Sequence, residues 1–224
     1  MHAKTVPPTP AKSAPNAHGY NLAGIAVLVF LLAVGAAYVI DMLGRNSRIA
    51  PPELTDTSAV AVTLAGKELA IPASWLRYSE QVRGGFVNEI DLRVVLTPVA
   101  TPIPVTVTLL PRSRVRPSSA LLDGVYLHQF GDDSVGGVPG LVGKPLHDGD
   151  GLSGETVWYD ALSSAPFVAK CLAPITEGDE GRCLRTVYLS SGIAAVYAFD
   201  TSALPAWRQF DAEMQKWLGR IGAW

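Results

Sequence analysis

The sequence predicts a mainly β, α+β chain: one N-terminal transmembrane helix, then a twisted antiparallel sheet or small sandwich with an amphipathic C-terminal helix packed on it. Three observations carry this. Residues 22–40 (LAGIAVLVFLLAVGAAYVI) contain no charge and no proline. About ten short apolar runs follow, several alternating with period two and punctuated by Gly and Pro. The chain then closes on an apolar stripe with helical spacing.

The 22–40 run has nineteen residues, and Met42 and Leu43 extend it, so the predicted span is 22–43. At about 1.5 Å per residue it nearly crosses a hydrocarbon core of roughly 30 Å. Tyr20 and Tyr38 stand near its two ends, as interfacial tyrosines do. Ala33 and Ala37 give a small-xxx-small spacing, which also arises because alanine is common in such helices. Gly35 and Ala37 offer small residues for signal cleavage, but the run continues to Ile40 and a 21-residue leader precedes it. An uncleaved anchor is expected. Residues 1–21, rich in proline and small residues, are expected to be a disordered tail. Residues 44–57, stiffened by Pro51 and Pro52, form a linker, and 58–224 form the globular domain.

Within that domain, 60–64 and 68–71 pair as a hairpin around Gly66. Residues 72–78 form a short helical turn, with Trp75 and Leu76 inward. In 89–96, Ile90, Leu92 and Val94 share one face, and Glu89, Asp91 and Arg93 the other. Further strands are expected at 105–110, 125–130, 141–146, 155–160, 166–172, 182–189 and 193–199. Ser118 caps a short helix, and Ser202 caps the last one. There Leu204, Trp207, Phe210, Met214, Trp217, Leu218 and Ile221 make the stripe, and Gly222 ends it.

Charge narrows the function. The chain carries 18 Lys and Arg against 20 Asp and Glu, a net of −2. A protein that grips nucleic acid through phosphates is basic, so no nucleic-acid partner is expected. Lys4 and Lys12 precede the apolar run and Arg45 and Arg48 follow it, so the positive-inside count is a tie. The two cysteines break it. Cys171 and Cys183 bracket a polar, glycine-containing loop between strand-like runs. They are expected to form a disulfide, which persists in oxidising compartments; the alternative is two unrelated buried thiols. A bond puts the domain outside the cytoplasm. The expected location is therefore the inner membrane, single-pass, with a cytoplasmic tail and a periplasmic domain.

Catalytic motifs are missing. There is no G-x-S-x-G elbow, no S-x-x-K, no Walker loop and no G-x-G-x-x-G. Only His128 and His147 lie in the globular part. His147, Asp148 and Asp150 collect in one glycine-rich loop, which supports a membrane-tethered hydrolase as an alternative. The same loop fails the EF-hand pattern, because Leu152 holds an oxygen-ligand position and Tyr159 the place of the bidentate glutamate. No cofactor and no metal are expected. Trp75 and Trp158 suggest a second alternative, a ligand- or glycan-binding module, although aromatics in short β domains mostly serve the core. Arg112, Arg114 and Arg116 recur every second residue and, if extended, form an interaction surface; the alternative is an edge strand that arginines protect from aggregation. The leading reading is an accessory subunit or assembly factor of a membrane or envelope complex, with the membrane and a protein as partners.

Overall fold

The computed structural model divides into two units, Met1–Ile49 and Ala50–Trp224. It describes residues 17–46, 51–98, 101–147, 154–174, 176 and 178–224, with first-unit side chains only over 25–40. Among its described residues, the first unit contains one helix, α1 (Ala17–Asn46). Ile25 to Ile40 are exposed along it, Leu31 at 63% and Leu32 at 66%. Among the described residues, no helix is long and apolar enough to cross a membrane.

The second unit is α+β. A small sheet contains β1 (Ala59–Leu64), β2 (Lys67–Pro72) and β3 (Gly85–Val87) in the order β2-β1-β3. β1 and β2 form the expected hairpin, with Ala65 and Gly66 both at positive φ, the backbone a two-residue hairpin turn requires. β3 pairs parallel to β1. The large sheet has seven antiparallel strands: β4 (Ile90–Leu96), β5 (Ile103–Pro111), β6 (Val142–Pro145), β7 (Glu155–Tyr159), β8 (Val168–Leu172), β9 (Arg182–Tyr188) and β10 (Ile193–Asp200). Their order is β4-β5-β10-β9-β8-β7-β6.

Burial alternates along β4 and over most of β5, so the large sheet has an inner and an outer face. Ile90, Leu92 and Val94 point inward as their spacing predicts. The inner face shares one core with the small sheet and with α3 (Trp207–Arg220). Trp75 meets Trp217 there, ring centroids 4.6 Å apart. Phe210, Met214, Trp217 and Leu218 are buried, while Trp207 is half-buried. The helix ends in a two-bond cap: Gly222 N–H donates to Gly219 O (3.1 Å) and Ala223 N–H to Leu218 O (2.9 Å). Gly222 makes this possible with φ of 79°.

A smaller outer cluster joins Leu146, Val157 and Val168 to Leu122 of α2 (Ser118–Gly124). Cys171 and Cys183, directly opposed on β8 and β9, are bonded. Closing so short a loop contributes about 3 kcal/mol by chain entropy.

Four local expectations are corrected. Residues 126–128 form a 3-10 turn, not a strand, because α2 ends at Gly124 and the chain stays coiled. β3 occupies 85–87, between the expected turn and the expected strand at 89–96, where no strand was expected; its three residues are too few to show a period. Residues 201–206 are 3-10 rather than α, with Pro205 inside the segment and supplying no backbone N–H. Ser202 therefore caps nothing and donates instead to Glu180 Oε2. Residues 112–114 also form a 3-10 turn, so Arg112, Arg114 and Arg116 do not share the face of one extended strand.

Candidate functional site

The large sheet opens between two of its strands. β8 and β9 pair at Lys170–Leu184, Cys171–Cys183 and Leu172–Arg182, and part beyond Leu184. The backbone groups freed by this parting find side-chain partners. Thr186 N–H donates to Ser118 Oγ (2.8 Å), and Arg185 Nη1 donates to Val168 O (3.1 Å). Ser118, expected as a helix cap, instead stands in for the missing strand partner.

Arg185 dominates this opening. It sits on the inner face between Cys183 and Val187, a position that alternation reserves for apolar residues. Only 7% of its side chain is exposed, against 45% for Asp211 on α3. Nε donates to Asp211 Oδ1 (3.1 Å) and Nη2 to Oδ2 (2.6 Å), a bidentate fork. The guanidinium also lies 4.4 Å from the centre of the Phe167 ring. A groove of about 360 Å³ occupies the gap, lined by Pro117, Pro166, Arg185, Tyr188, Asp211 and Trp224.

The arginine turn borders this groove. Arg112 stacks 4.1 Å over the Tyr188 ring, and Tyr188 Oη donates to Val115 O (2.8 Å). Arg114 lies 3.5 Å from Glu89 and donates to Asn88 O (3.2 Å). Arg116 is exposed. The groove thus has a basic rim on one side, an exposed Trp224 and a half-exposed carboxylate. It offers an extended polypeptide apolar contact, planar stacking and a charge of each sign.

Tyr197 is the inward neighbour of Arg185 on β10. It is fully buried, and its hydroxyl has no partner among the described residues. Burial, and secondarily the Asp211 charge, raises its pKa, while Arg185 opposes them. The folded state therefore holds this proton more tightly than the unfolded state. The contribution is complete below the ordinary tyrosine value of about 10 and is lost as pH climbs above it. Tyr197→Phe is expected to stabilise the fold by about 1 kcal/mol, because it removes an unpaired buried hydroxyl. Urea denaturation of both forms at about pH 8 and pH 10.5 checks this, and the gap should widen at the higher pH. A destabilised phenylalanine variant would mean that the hydroxyl has a partner.

A second cavity, of about 340 Å³, lies at one end of the sheet among Pro102, Ile103, Pro104, Ala203, Pro205 and Gln209. Its one carboxylate, Asp200, is already paired with Arg182 at 2.6 Å.

The other sequence candidates fall elsewhere. His147 is tied to Gln129 O through its backbone N–H (2.8 Å), and its Nδ1 lies 3.1 Å from the same oxygen. Asp148 and Asp150, its expected companions, lie outside the described residues. His128 is exposed on the 3-10 turn. Among the described residues, no three His, Cys, Asp or Glu side chains gather as a metal site. Trp75 and Trp158 are buried, and Trp75 Nε1 donates to Glu53 O (3.0 Å), so neither presents a glycan-binding platform. The Arg185–Asp211 pair escaped the sequence reading, since 26 residues separate its members. The available signal was a charge at an inward strand position between Cys183 and Val187.

No protein-family model, curated protein or solved structure significantly matches this chain.

Proposed function

We infer that this chain is a single-pass membrane-anchored protein whose disulfide-bonded β-rich domain works by protein interaction, as accessory subunit or assembly factor of a membrane or envelope complex. The observation that carries the reading is α1. Its side chains from Ile25 to Ile40 are all exposed, and the sequence run they belong to, 22–40, has no charge. Covering a Val, Leu, Ile or Phe side chain gains about 1.5–3 kcal/mol, so a surface of this kind favours lipid over water. As a helix, the nineteen-residue uncharged run would rise roughly 28 Å at ~1.5 Å per residue, close to the roughly 30 Å of a bilayer core. The Cys171–Cys183 bond supports an oxidising compartment for the domain, hence a cytoplasmic tail and a periplasmic domain. The groove rimmed by Arg112 and Arg116 is the surface offered to a partner, and it suits an extended segment with acidic character.

Alkaline carbonate extraction tests the anchor. The full chain is expected to stay in the membrane pellet, and a form lacking residues 1–43 to become soluble and lose its partner. Thiol labelling of intact cells is expected to require prior reduction. Release of the full chain by carbonate would overturn the anchor, and free thiols in vivo would overturn the sidedness.

A further inference from the structure

The gap between β8 and β9 has a cause in the sequence. Continued past Lys170–Leu184, the register would set Val168 against Thr186 and Pro166 against Tyr188. Pro166 has no backbone N–H, so it cannot complete that pair. Alternation along β9 fixes where the freed groups point. Leu189 N–H donates to Ile193 O (2.9 Å) on the β10 side, while Thr186 N–H donates to Ser118 Oγ on the side of the gap. Even-numbered residues of β9 therefore turn their main chain toward the gap, and odd-numbered ones toward β10. Ser118 has taken the N–H of Thr186. Tyr188 aims both its N–H and its C=O into the gap, and no hydrogen bond among the described residues uses either.

This open stretch of strand carries unmet charge of one sign. Tyr188 stands on the outer face, in line with Leu184 and Thr186. Arg112 lies 4.1 Å over its ring, and Arg116 adjoins Pro117, which lines the gap. Both arginines are exposed, and neither has a carboxylate within ion-pair distance among the described residues. Arg114, between them, is already paired with Glu89. On the inner face Asp211 matches Arg185, so the unmet positive charge lies on the outer rim alone.

We propose that the gap takes an extended segment of a partner protein as an added strand, which pairs through its main chain with Tyr188 and carries acidic side chains outward to Arg112 and Arg116. A strand added beside β9 inherits its period of two. Alternate residues then face the arginine rim, and those between face the Arg185–Asp211 pair and Trp224. The segment that this chemistry selects alternates Asp or Glu with an apolar residue. Main-chain bonds attract any extended chain, and the two guanidiniums make the choice among them. The proposal rests on the reading of the domain as an interaction module, whose partner it narrows to one class of sequence.

The test is fluorescence anisotropy of labelled synthetic peptides on the full-length chain in mild detergent. The probe is an alternating Glu-Val peptide. It is compared with a Lys-Val peptide and with a Glu-Val peptide methylated on its backbone amides. Glu-Val is expected to bind saturably, and each of the other two about tenfold or more weakly. Arg112→Glu together with Arg116→Glu should invert the charge preference, losing Glu-Val and gaining Lys-Val. The gain also shows that the variant is folded. Arg83→Glu, at an exposed arginine outside the lining of the gap, should change neither. No binding of Glu-Val at millimolar peptide would overturn the proposal, as would equal binding of Lys-Val or undiminished binding of the methylated peptide. A double variant that melts like wild type and still prefers Glu-Val would overturn it too. The functional reading fails separately. If carbonate releases the chain while the peptides behave as expected, the anchor falls and the gap keeps its ligand class. If the chain stays in the membrane with its partner but Glu-Val does not bind, the added strand falls alone.

Discussion

Phe210→Ala is expected to destabilise the domain by about 3–5 kcal/mol, the largest loss from a single truncation on α3. Its ring is fully buried and touches three others: Phe199 at 4.7 Å, Tyr197 at 5.7 Å and Phe167 at 6.2 Å between centroids. These belong to β9's two flanks, β10 and the segment leading into β8, so Phe210 joins α3 to the middle of the sheet. Removing it leaves a cavity in a dense aromatic cluster that cannot collapse without moving the helix. Urea denaturation should show a lower midpoint with an unchanged slope. Phe210→Leu should recover a large part of the loss, because it refills most of the volume. A cost below about 1 kcal/mol for the alanine variant would mean that α3 is not docked as described.

Asp211→Ala is expected to cost about 2–3 kcal/mol. Breaking a buried ion pair costs about 3–5 kcal/mol when one charge is stranded. The figure is discounted here because Asp211 itself is 45% exposed and solvent reaches the pair from that side. The stranded group is Arg185, whose fork would face no carboxylate while Nη1 still served Val168 O. Arg185→Met together with Asp211→Ala should recover part of the loss, since it removes the charge and keeps the packing on Phe167. A double-mutant cycle in urea reads this directly. Near-additive single effects would show that the fork contributes nothing beyond packing. The two residues also wall the groove, so a partner that binds there should be lost in parallel with the coupling.

Much of the architecture follows from local rules. Strict alternation in 90–96 places Ile90, Leu92 and Val94 inward whatever they pack against, because successive side chains on a strand must diverge. The α3 stripe and the Gly222 stop are equally local, one from helical period and the other from positive φ. The two cysteines flank a short loop between strands, which is enough to suggest their bond. The sequence was less legible where distant segments compete for the same backbone. Residues 112–116 carry an alternating arginine pattern, but Pro111 enters a 3-10 turn and the register with Gly192 ends there. Residues 125–130 have strand-like composition, yet α2 and the outer cluster hold Tyr126 and Phe130 in a coil over β7 and β8. Ser118 and Ser202 both have the chemistry of caps. Each was drawn to a farther partner, Thr186 N–H in one case and Glu180 in the other.

What chain order alone settles here is periodicity, turn chemistry, the disulfide candidates and the uncharged run at 22–40, because each depends on neighbours a few residues apart. The fold adds the parting of β8 from β9 and the placement of Arg185 against Asp211. Both join residues that only tertiary structure brings together: β9 lies between β8 and β10, and α3 crosses the inner face. A strand's own pattern shows which side chains point the same way, but not what they will meet.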